Sequence, residues 1–398
     1  MKQFQYIKNF EKLGFGLFVH FGLYSVVGKG EWYLHLNPTA DPKEYESLTS
    51  QFNIKETWAK ELVETAKAAG CKYITLTTRH HDGFSLFDTC GLNDYDAPHS
   101  ACGRDLIREF VDECNKGGIV PFFYHTLLDW KEPLYQTDFA KYIDYLVASI
   151  EILCKNYGKI GGFWFDGMWD KPNDDWQEDR LYGTIRKYQP EAMIINNTGL
   201  SELGKVGHPE IDSVTFERGN PAYVDNSDKP RAGEMCQVLN DHWGYAKNDC
   251  NYKSLKELIE NLVDCRRYGC NFLLNTGLKG DGSVNMMDAC MVREIGKWIQ
   301  TNKGFIYNVK PCEIQAENAV IVKGQDAYYA IIKNVPMSAD PNVQRAEGVG
   351  QVRVEAEILS AEWLDNGATI AAQGNSFPIT PFMYGESYSI RVAKLQLK

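Results

Sequence analysis

The feature that most constrains the fold is the alternation of short apolar segments with amphipathic ones over roughly the first 305 residues. The amphipathic segments at 54–70, 105–118, 139–158 and 254–269 have apolar residues at helical spacing and predict helices. Seven apolar segments predict buried strands, at 16–22, 73–78, 120–126, 161–167, 192–198, 212–217 and 271–277. Such alternation predicts right-handed βα units and a parallel sheet. With an eighth strand predicted at 234–239, the fold class is α/β, a (β/α)8-like TIM barrel rather than an open sheet.

The pattern changes after residue 305. Short alternating runs such as "AYYAIIK", "VRVEAEILSAEWL" and "SYSIRVAKLQL" replace the helical segments. Alternation of this kind, with turn residues between the runs, predicts a small antiparallel β-sandwich. The sequence therefore predicts a catalytic barrel over residues 1–305 and a C-terminal β-sandwich domain over residues 306–398.

Charge and cysteine content exclude several classes of partner. The formal net charge of -11 argues against a nucleic-acid or anionic-membrane partner, which would need a basic face. The longest apolar runs are too short for a membrane span. Eleven cysteines without a C-x-x-C pair predict free thiols in a reducing compartment. Because the N-terminal segment also has no apolar signal region, we expect a cytoplasmic location.

Polar side chains cluster at the ends of the predicted strands. In a βα barrel the active site lies at the carboxyl ends of the strands, so these residues should meet at one mouth. They come from six strands and are His20, His80, His81, His125, Asp166, Asn196, Asn197 and Glu217.

The segment "GGFWFDG" carries the clearest candidate for a catalytic residue. Side chains alternate along a strand, so Trp164 and Asp166 share one face while Phe163 and Phe165 share the other. If the phenylalanines pack on the helices, Asp166 points into the barrel. Desolvating a carboxylate there costs free energy, so its presence indicates a functional role. The alternative is a helix N-cap, a role that Asp favours.

A second carboxylate, Glu217, ends the strand "DSVTFE". It shares a face with Ser213 and Thr215, opposite the apolar residues of that strand. Two carboxyl groups at one mouth are what glycoside hydrolysis requires. An ion pair between Glu217 and Arg218, or with a neighbouring loop, is the structural alternative.

The adjacent histidines in "TTRHHDGF" raise the question of a metal. If the strand continued, His80 and His81 would point to opposite faces and chelate one ion poorly. No metal-ligand spacing is present, so we expect no metal and no cofactor. Two neutral imidazoles that hydrogen-bond the hydroxyls of a ligand fit better, and a purely structural pair is the alternative.

Together these motifs resemble the α-L-fucosidases of glycoside hydrolase family 29. The matching pieces are "FGLFVHFGLYSV", "GEWY", "YITLTTRHHDGFSLFD", "FFYHTLLDW", "FWFDG", "HWGYAKND" and "NFLLNTG". They run in the family order along nearly the whole predicted barrel. The tail is similar to the C-terminal β-sandwich of that family, by position more than by motif.

The resemblance implies roles for individual residues. Asp166 corresponds to the nucleophile and Glu217 to the acid/base, with Glu31 and Glu234 (in "GEMC") as rivals for the acid/base role. The residues implied to bind substrate are His20, Glu31, Trp32, His80, His81, His125 and Trp164. His125 stands where many members have Tyr in the third-strand motif.

A second departure lies after the fifth strand, where this chain reads "NNT" and many members read "NDR". Thr198 thus replaces an arginine that contacts substrate, and Arg218 or Arg231 could stand in for it.

The expected function is that of a retaining, exo-acting α-L-fucosidase whose partner is a fucosylated glycan. Fucose is a 6-deoxy sugar, so its methyl group needs an apolar wall and its hydroxyls need hydrogen-bonding groups. Aromatic side chains and histidines at a barrel mouth supply both. The alternatives are a barrel hydrolase with a histidine-bound metal and a fucose-binding relative that has lost turnover. Assembly into a homo-oligomer is left open.

Overall fold

A computed structural model describes residues 4–198, 200, 202–338, 350–383, 385 and 389–398. Eight parallel strands close into a barrel in sequence order, which confirms the predicted TIM-type fold and its eighth strand. The strands are β1 (Phe15–His20), β2 (Tyr73–Arg79), β3 (Val120–Thr126), β4 (Gly162–Asp166), β5 (Met193–Asn196), β6 (Ser213–Thr215), β7 (Ala232–Val238) and β8 (Asn271–Gly277). β1 pairs with both β2 and β8, so the barrel is closed.

The barrel strands are buried on both faces, as expected for a parallel sheet covered by helices. Side chains that point outwards, such as Phe163 and Phe165, join the main apolar core beneath the helices. Side chains that point inwards, such as Phe18 and Trp164, form a separate inner cluster. The alternation predicted for the "GGFWFDG" strand is therefore confirmed.

Eleven helices lie among the described residues, and the larger ones alternate with the strands. Each larger helix lays an apolar stripe on the barrel; in the helix after β2 that stripe includes Ile107, Phe110 and Cys114. The helices are α1 (Gln5–Glu11), α2 (Tyr24–Val27), α3 (Tyr33–Leu36), α4 (Pro42–Ser47), α5 (Trp58–Ala69), α6 (Leu106–Gly117), α7 (Leu134–Thr137), α8 (Phe139–Asn156), α9 (Glu178–Tyr188), α10 (Leu255–Tyr268) and α11 (Met286–Thr301). No helix in this described part is long and apolar enough to cross a membrane.

The C-terminal strands form a four-stranded and a three-stranded antiparallel sheet and a two-stranded parallel pair. They are β9 (Ala316–Glu317), β10 (Val320–Lys323), β11 (Tyr328–Ile332), β12 (Met337–Ser338), β13 (Gln351–Val354), β14 (Ile358–Trp363), β15 (Ser376–Pro378), β16 (Phe382–Met383) and β17 (Arg391–Leu397). Most of their apolar residues make a core of their own, while Val322, Ile331 and Val392 join the main core. The Trp298 indole donates to the Ile390 carbonyl at 3.0 Å and ties α11 to this part. The boundary between residues 305 and 306 stays a prediction.

Candidate active site

A small cavity of about 130 Å³ opens at the carboxyl ends of the barrel strands. This is the end at which a βα barrel carries its chemistry. Its walls combine aromatic rings with two histidines and two carboxyl groups. The lining residues are Phe18, His20, Trp32, His80, Tyr124, Trp164, Asp166, Trp169, Leu200, Glu217 and Trp243.

Asp166, the last residue of β4, is held by donors on both carboxylate oxygens. Oδ2 accepts from the Tyr124 hydroxyl at 3.1 Å, and His81 Nε2 lies 3.6 Å from the same oxygen. Oδ1 accepts from Trp169 Nε1 at 3.1 Å and from Asn197 Nδ2 at 3.4 Å. Hydrogen bonds of this kind stabilise a carboxylate anion and fix its direction. Asp166 is therefore oriented towards the cavity.

A glycine directly after Asp166 brings the Trp169 indole back over the carboxylate. Gly167 has a φ of 98°, a left-handed conformation that a side chain disfavours. An added Cβ would also lie 2.6 Å from the Leu128 Cβ. The chain can therefore turn sharply into the short 3-10 helix Met168–Asp170.

Glu217 faces the same cavity two residues beyond the end of β6. Its Oε2 accepts from Asn197 Nδ2 at 2.6 Å. Burial and, after it, the charge of Asp166 raise the pKa of Glu217 to about 7, against the opposing effect of the Asn197 hydrogen bond. Glu217 can therefore carry a proton near neutral pH and release it, as a general acid requires.

The histidines at the mouth are neutral. Burial lowers the pKa of His20 to about 3 and that of His81 to about 4, and it also lowers the pKa of His80. His20 Nδ1 lies 2.7 Å from the side-chain oxygen of Asn275, so this nitrogen carries the proton and Nε2 is left as an acceptor. Neutral imidazoles both donate and accept hydrogen bonds, which suits sugar hydroxyls.

The expectation that His80 and His81 diverge is wrong. β2 ends at Arg79, so the chain is no longer extended where the two histidines follow. Their ring centroids lie only 4.2 Å apart. His81 reaches Asp166 and also pairs with the Thr126 hydroxyl at 2.7 Å through Nδ1. No group of three or more His, Cys, Asp or Glu in the described part of the chain could hold a metal ion.

Aromatic rings form the remaining walls. Trp164 stacks on Tyr124 with ring centroids 5.7 Å apart, and Tyr124 stacks on His80 at 5.5 Å. Trp32 stacks on Trp169 at 5.9 Å. The cavity thus offers apolar surface beside its hydrogen-bonding groups, which is the combination that amphipathic sugar rings need.

The two rivals of Glu217 do not line the cavity. Glu234, on β7, is enclosed inside the barrel, where Trp164 Nε1 donates to its Oε1 at 3.0 Å and the Tyr73 hydroxyl donates to its Oε2. Burial raises its pKa to about 7. Glu31 is also buried, and its Oε2 accepts from the Gly244 backbone amide at 2.7 Å. Both carboxyl groups are occupied by protein donors, so the geometry favours Glu217.

His125 was predicted to bind substrate, but the structure places it outside the cavity lining, in a structural position. Its ring points out of the barrel towards the helices and is completely buried there. Its nitrogens lie 2.8 Å from the Thr78 hydroxyl and 2.9 Å from the Arg79 guanidinium. The neighbouring Tyr124 takes the cavity position instead. Sequence reasoning missed Tyr124, although alternation with Thr126 at the end of β3 indicates its inward face.

Thr198 and the two arginines considered as replacements lie outside the cavity lining. Arg231 forms a bidentate ion pair with Asp228, away from the mouth. Arg218 packs its guanidinium 5.1 Å from the ring centroid of Trp243, a wall residue. Of the two arginines, Arg218 is therefore the one that contacts a cavity wall, through the Trp243 indole.

Comparisons with known proteins agree with one another. Residues 1–304 match the family model described as Alpha-L-fucosidase. An alpha-L-fucosidase from Dictyostelium discoideum is 27% identical over 341 residues, 77% of this chain and 72% of that protein. The structure of alpha-L-fucosidase isoenzyme 1 from Paenibacillus thiaminolyticus is similar at a TM-score of 0.84 and 29% identity, covering 99% of both chains.

A second similar structure comes from Bacteroides thetaiotaomicron. It is an alpha-L-fucosidase trapped as a covalent intermediate with 2-fluoro-fucosyl fluoride, at a TM-score of 0.81 and 22% identity, covering 100% of this chain and 97% of that chain. At this identity the likeness concerns the fold.

Proposed function

The chain belongs to the alpha-L-fucosidase family, and on this premise we propose that it hydrolyses terminal α-L-fucosides with Asp166 as nucleophile and Glu217 as acid/base. The observation that carries the proposal is that these two carboxyl groups face one small cavity and share a hydrogen-bond donor. The cavity of about 130 Å³ suits a single terminal sugar, in keeping with exo action.

In the first step an Asp166 oxygen attacks the anomeric carbon, and the bond to the leaving oxygen breaks. Glu217 gives its proton to that oxygen, so the aglycone departs as a neutral alcohol. The electron pair of the carboxylate becomes the bond of a covalent fucosyl-enzyme. The raised pKa of Glu217 supports this role, since the group still holds its proton near neutral pH.

In the second step Glu217, now ionised, takes a proton from water. The water oxygen attacks the anomeric carbon and Asp166 leaves, which restores the carboxylate and retains the anomeric configuration. One nitrogen of Asn197 lies 3.4 Å from an Asp166 oxygen and 2.6 Å from a Glu217 oxygen. The two carboxyl groups are therefore closer than the roughly 6.5 to 9.5 Å typical of inverting enzymes.

Substrate recognition divides between polar and apolar walls. We propose that His20, His80 and His81 hold the sugar hydroxyls. Burial lowers the pKa of all three, so they are neutral. His20 and His80 line the cavity, and His81 lies beside it, against Asp166. Trp32 and Trp164 supply apolar faces against the ring and its methyl group. Glu31 does not line the cavity and contributes indirectly, by accepting a hydrogen bond from the Gly244 backbone amide.

The alternatives have less support. A barrel hydrolase that depends on a histidine-bound metal has no support from the family match. A fucose-binding relative without turnover would have no use for a carboxyl group of raised pKa beside a second carboxylate.

The decisive experiment is hydrolysis of an aryl α-L-fucoside, with the anomer of the product followed by NMR. We expect the α anomer first, and a loss of more than about 1000-fold in kcat for Asp166→Ala. Glu217→Ala should lose about 100- to 10000-fold, less with good leaving groups, and should recover with azide. Wild-type activity in Asp166→Ala, or β-fucose as the first product, would refute the proposal.

We also propose that the protein works in a reducing, cytoplasmic compartment. All eleven cysteines carry free thiols, and several are buried. Cell fractionation with an antibody against the native protein tests this, and recovery only in a secreted fraction would contradict it.

A further inference from the structure

Asn197 occupies a special position between the two carboxyl groups. It follows β5 directly, and its backbone amide donates to the Phe165 carbonyl of β4 at 2.9 Å. Its side-chain nitrogen carries two hydrogens, and it lies within hydrogen-bond distance of Asp166 Oδ1 and of Glu217 Oε2. One amide group thus spans the nucleophile on β4 and the acid/base beyond β6.

The orientation of this amide is determined by its other end. The Thr215 hydroxyl donates to Asn197 Oδ1 at 2.8 Å. If the amide were rotated by half a turn, its oxygen would face two carboxyl groups that can only repel it when ionised. Asn197 and Thr215 are both buried, so water cannot readily replace the hydrogen bonds of the Asn197 amide. The chain therefore fixes which atom meets the carboxyl groups.

We propose that Asn197 is a positioning residue that sets the distance between Asp166 and Glu217 by donating one hydrogen bond to each, with Thr215 fixing the direction of its amide. This inference rests on the proposed function. In the resemblance described above, many members have Asp at this position, so the amide is a feature of this chain. A carboxylate there would add a third negative group and could not donate to the other two.

The bridge also influences when Glu217 titrates. Burial and the charge of Asp166 raise the pKa of Glu217, and the nearby Glu31 raises it further. The Asn197 hydrogen bond and the charge of Arg218 lower it. The hydrogen bond from the Asn197 side chain stabilises the ionised Glu217 carboxylate. Removal of this hydrogen bond should therefore move the titration of Glu217 to higher pH.

The first test is the pH dependence of kcat/KM for an aryl α-L-fucoside. The alkaline limb reports loss of the acid's proton, so we expect Asn197→Ala to shift it upwards by about 0.5 to 1 pH unit and to lower kcat about 10- to 100-fold. Asn197→Asp should shift it further, since it adds a negative charge.

Two further variants separate positioning from a purely structural role. Thr215→Val keeps the shape of the side chain but frees the amide, so it should give a smaller shift in the same direction. Asn115→Asp makes the same charge change on the exposed end of α6, near the opposite end of the barrel, and should leave the limb in place. A lower melting temperature in Asn197→Ala without a shift of the limb would overturn the proposal.

The second test does not depend on turnover. The Glu217 carboxyl group is titrated by NMR in protein labelled at the glutamate side-chain carbon, and its resonance is assigned by its absence in Glu217→Gln. We expect a higher midpoint in Asn197→Ala and in Thr215→Val than in the wild type. Equal midpoints would overturn the inference. If the wild type does not hydrolyse fucosides, the proposed function fails, while this titration still decides whether the amide acts on Glu217.

Discussion

Glu234→Gln should make the protein more stable at alkaline pH while keeping kcat/KM within about tenfold of the wild type. Glu234 sits inside the barrel with its two oxygens held by Trp164 and Tyr73. Burial raises its pKa from 4.5 to about 7, so the folded protein keeps a proton that the unfolded chain has already released. Glutamine copies the hydrogen-bonding pattern of the protonated acid: its oxygen accepts from Trp164 Nε1, and its NH2 donates to the Tyr73 hydroxyl, which turns to accept.

The magnitude follows from this difference in pKa. A carboxyl group whose pKa is raised on folding imposes no penalty below about pH 4.5 and its full penalty above about pH 7. The wild type should therefore lose about 3 kcal/mol through this group as the pH rises across that range. The variant has no proton to lose there. Its free energy of unfolding relative to the wild type should thus increase by about 3 kcal/mol between pH 4.5 and pH 8.

The assay is urea unfolding of both proteins, followed by tryptophan fluorescence at several pH values. Other titrating groups, including Glu217, are present in both proteins and cancel in the difference. A difference that stays constant with pH would refute the reasoning about burial. The same variant should keep kcat/KM within about tenfold of the wild type, because Glu234 does not touch the cavity. A loss as large as that expected for Glu217→Ala would refute the choice of acid/base.

Two further substitutions test Tyr124 and His125, adjacent residues of β3 that point to opposite faces of the barrel wall. Tyr124→Phe removes a hydrogen bond to the nucleophile and should lower kcat about 10- to 100-fold in steady-state kinetics, with the melting temperature nearly unchanged; unchanged kcat would count against that bond. His125→Leu leaves the buried Arg79 without one partner and should destabilise the fold by about 2 kcal/mol in urea unfolding, with KM within twofold. A large rise in KM would restore His125 to the substrate site.

The barrel could be predicted from the sequence because apolar strands recur along the chain with amphipathic helices between most of them. The inward direction of Trp164 and Asp166 followed from the same regularity. His125 was misassigned because its residue type suggested a ligand, while the alternation along β3 already placed Tyr124 inwards. Residue type and strand geometry disagreed there, and geometry decided the outcome.

The remaining features depend on contacts that a local pattern does not contain. The end of β2 at Arg79 brings His80 and His81 together, and no signal in the sequence marks that end. Trp169 reaches Asp166 only through the left-handed turn at Gly167. The Asn197 side chain connects residues at the ends of β4, β5 and β6, and the register of these strands is set by their pairing with one another.

The two carboxyl groups proposed to break the glycosidic bond lie at or just beyond the ends of β4 and β6, whereas His20 ends β1 and His80 and His81 directly follow β2. The proposed hydroxyl-binding histidines and the proposed catalytic carboxyl groups therefore lie on different sides of the barrel mouth. Substitutions near the ends of β1 and β2 should therefore change which sugar is accepted, while the carboxyl groups near the ends of β4 and β6 stay in place. Changes to the loops beyond both sets of strands would then alter the preference for the group to which the sugar is attached.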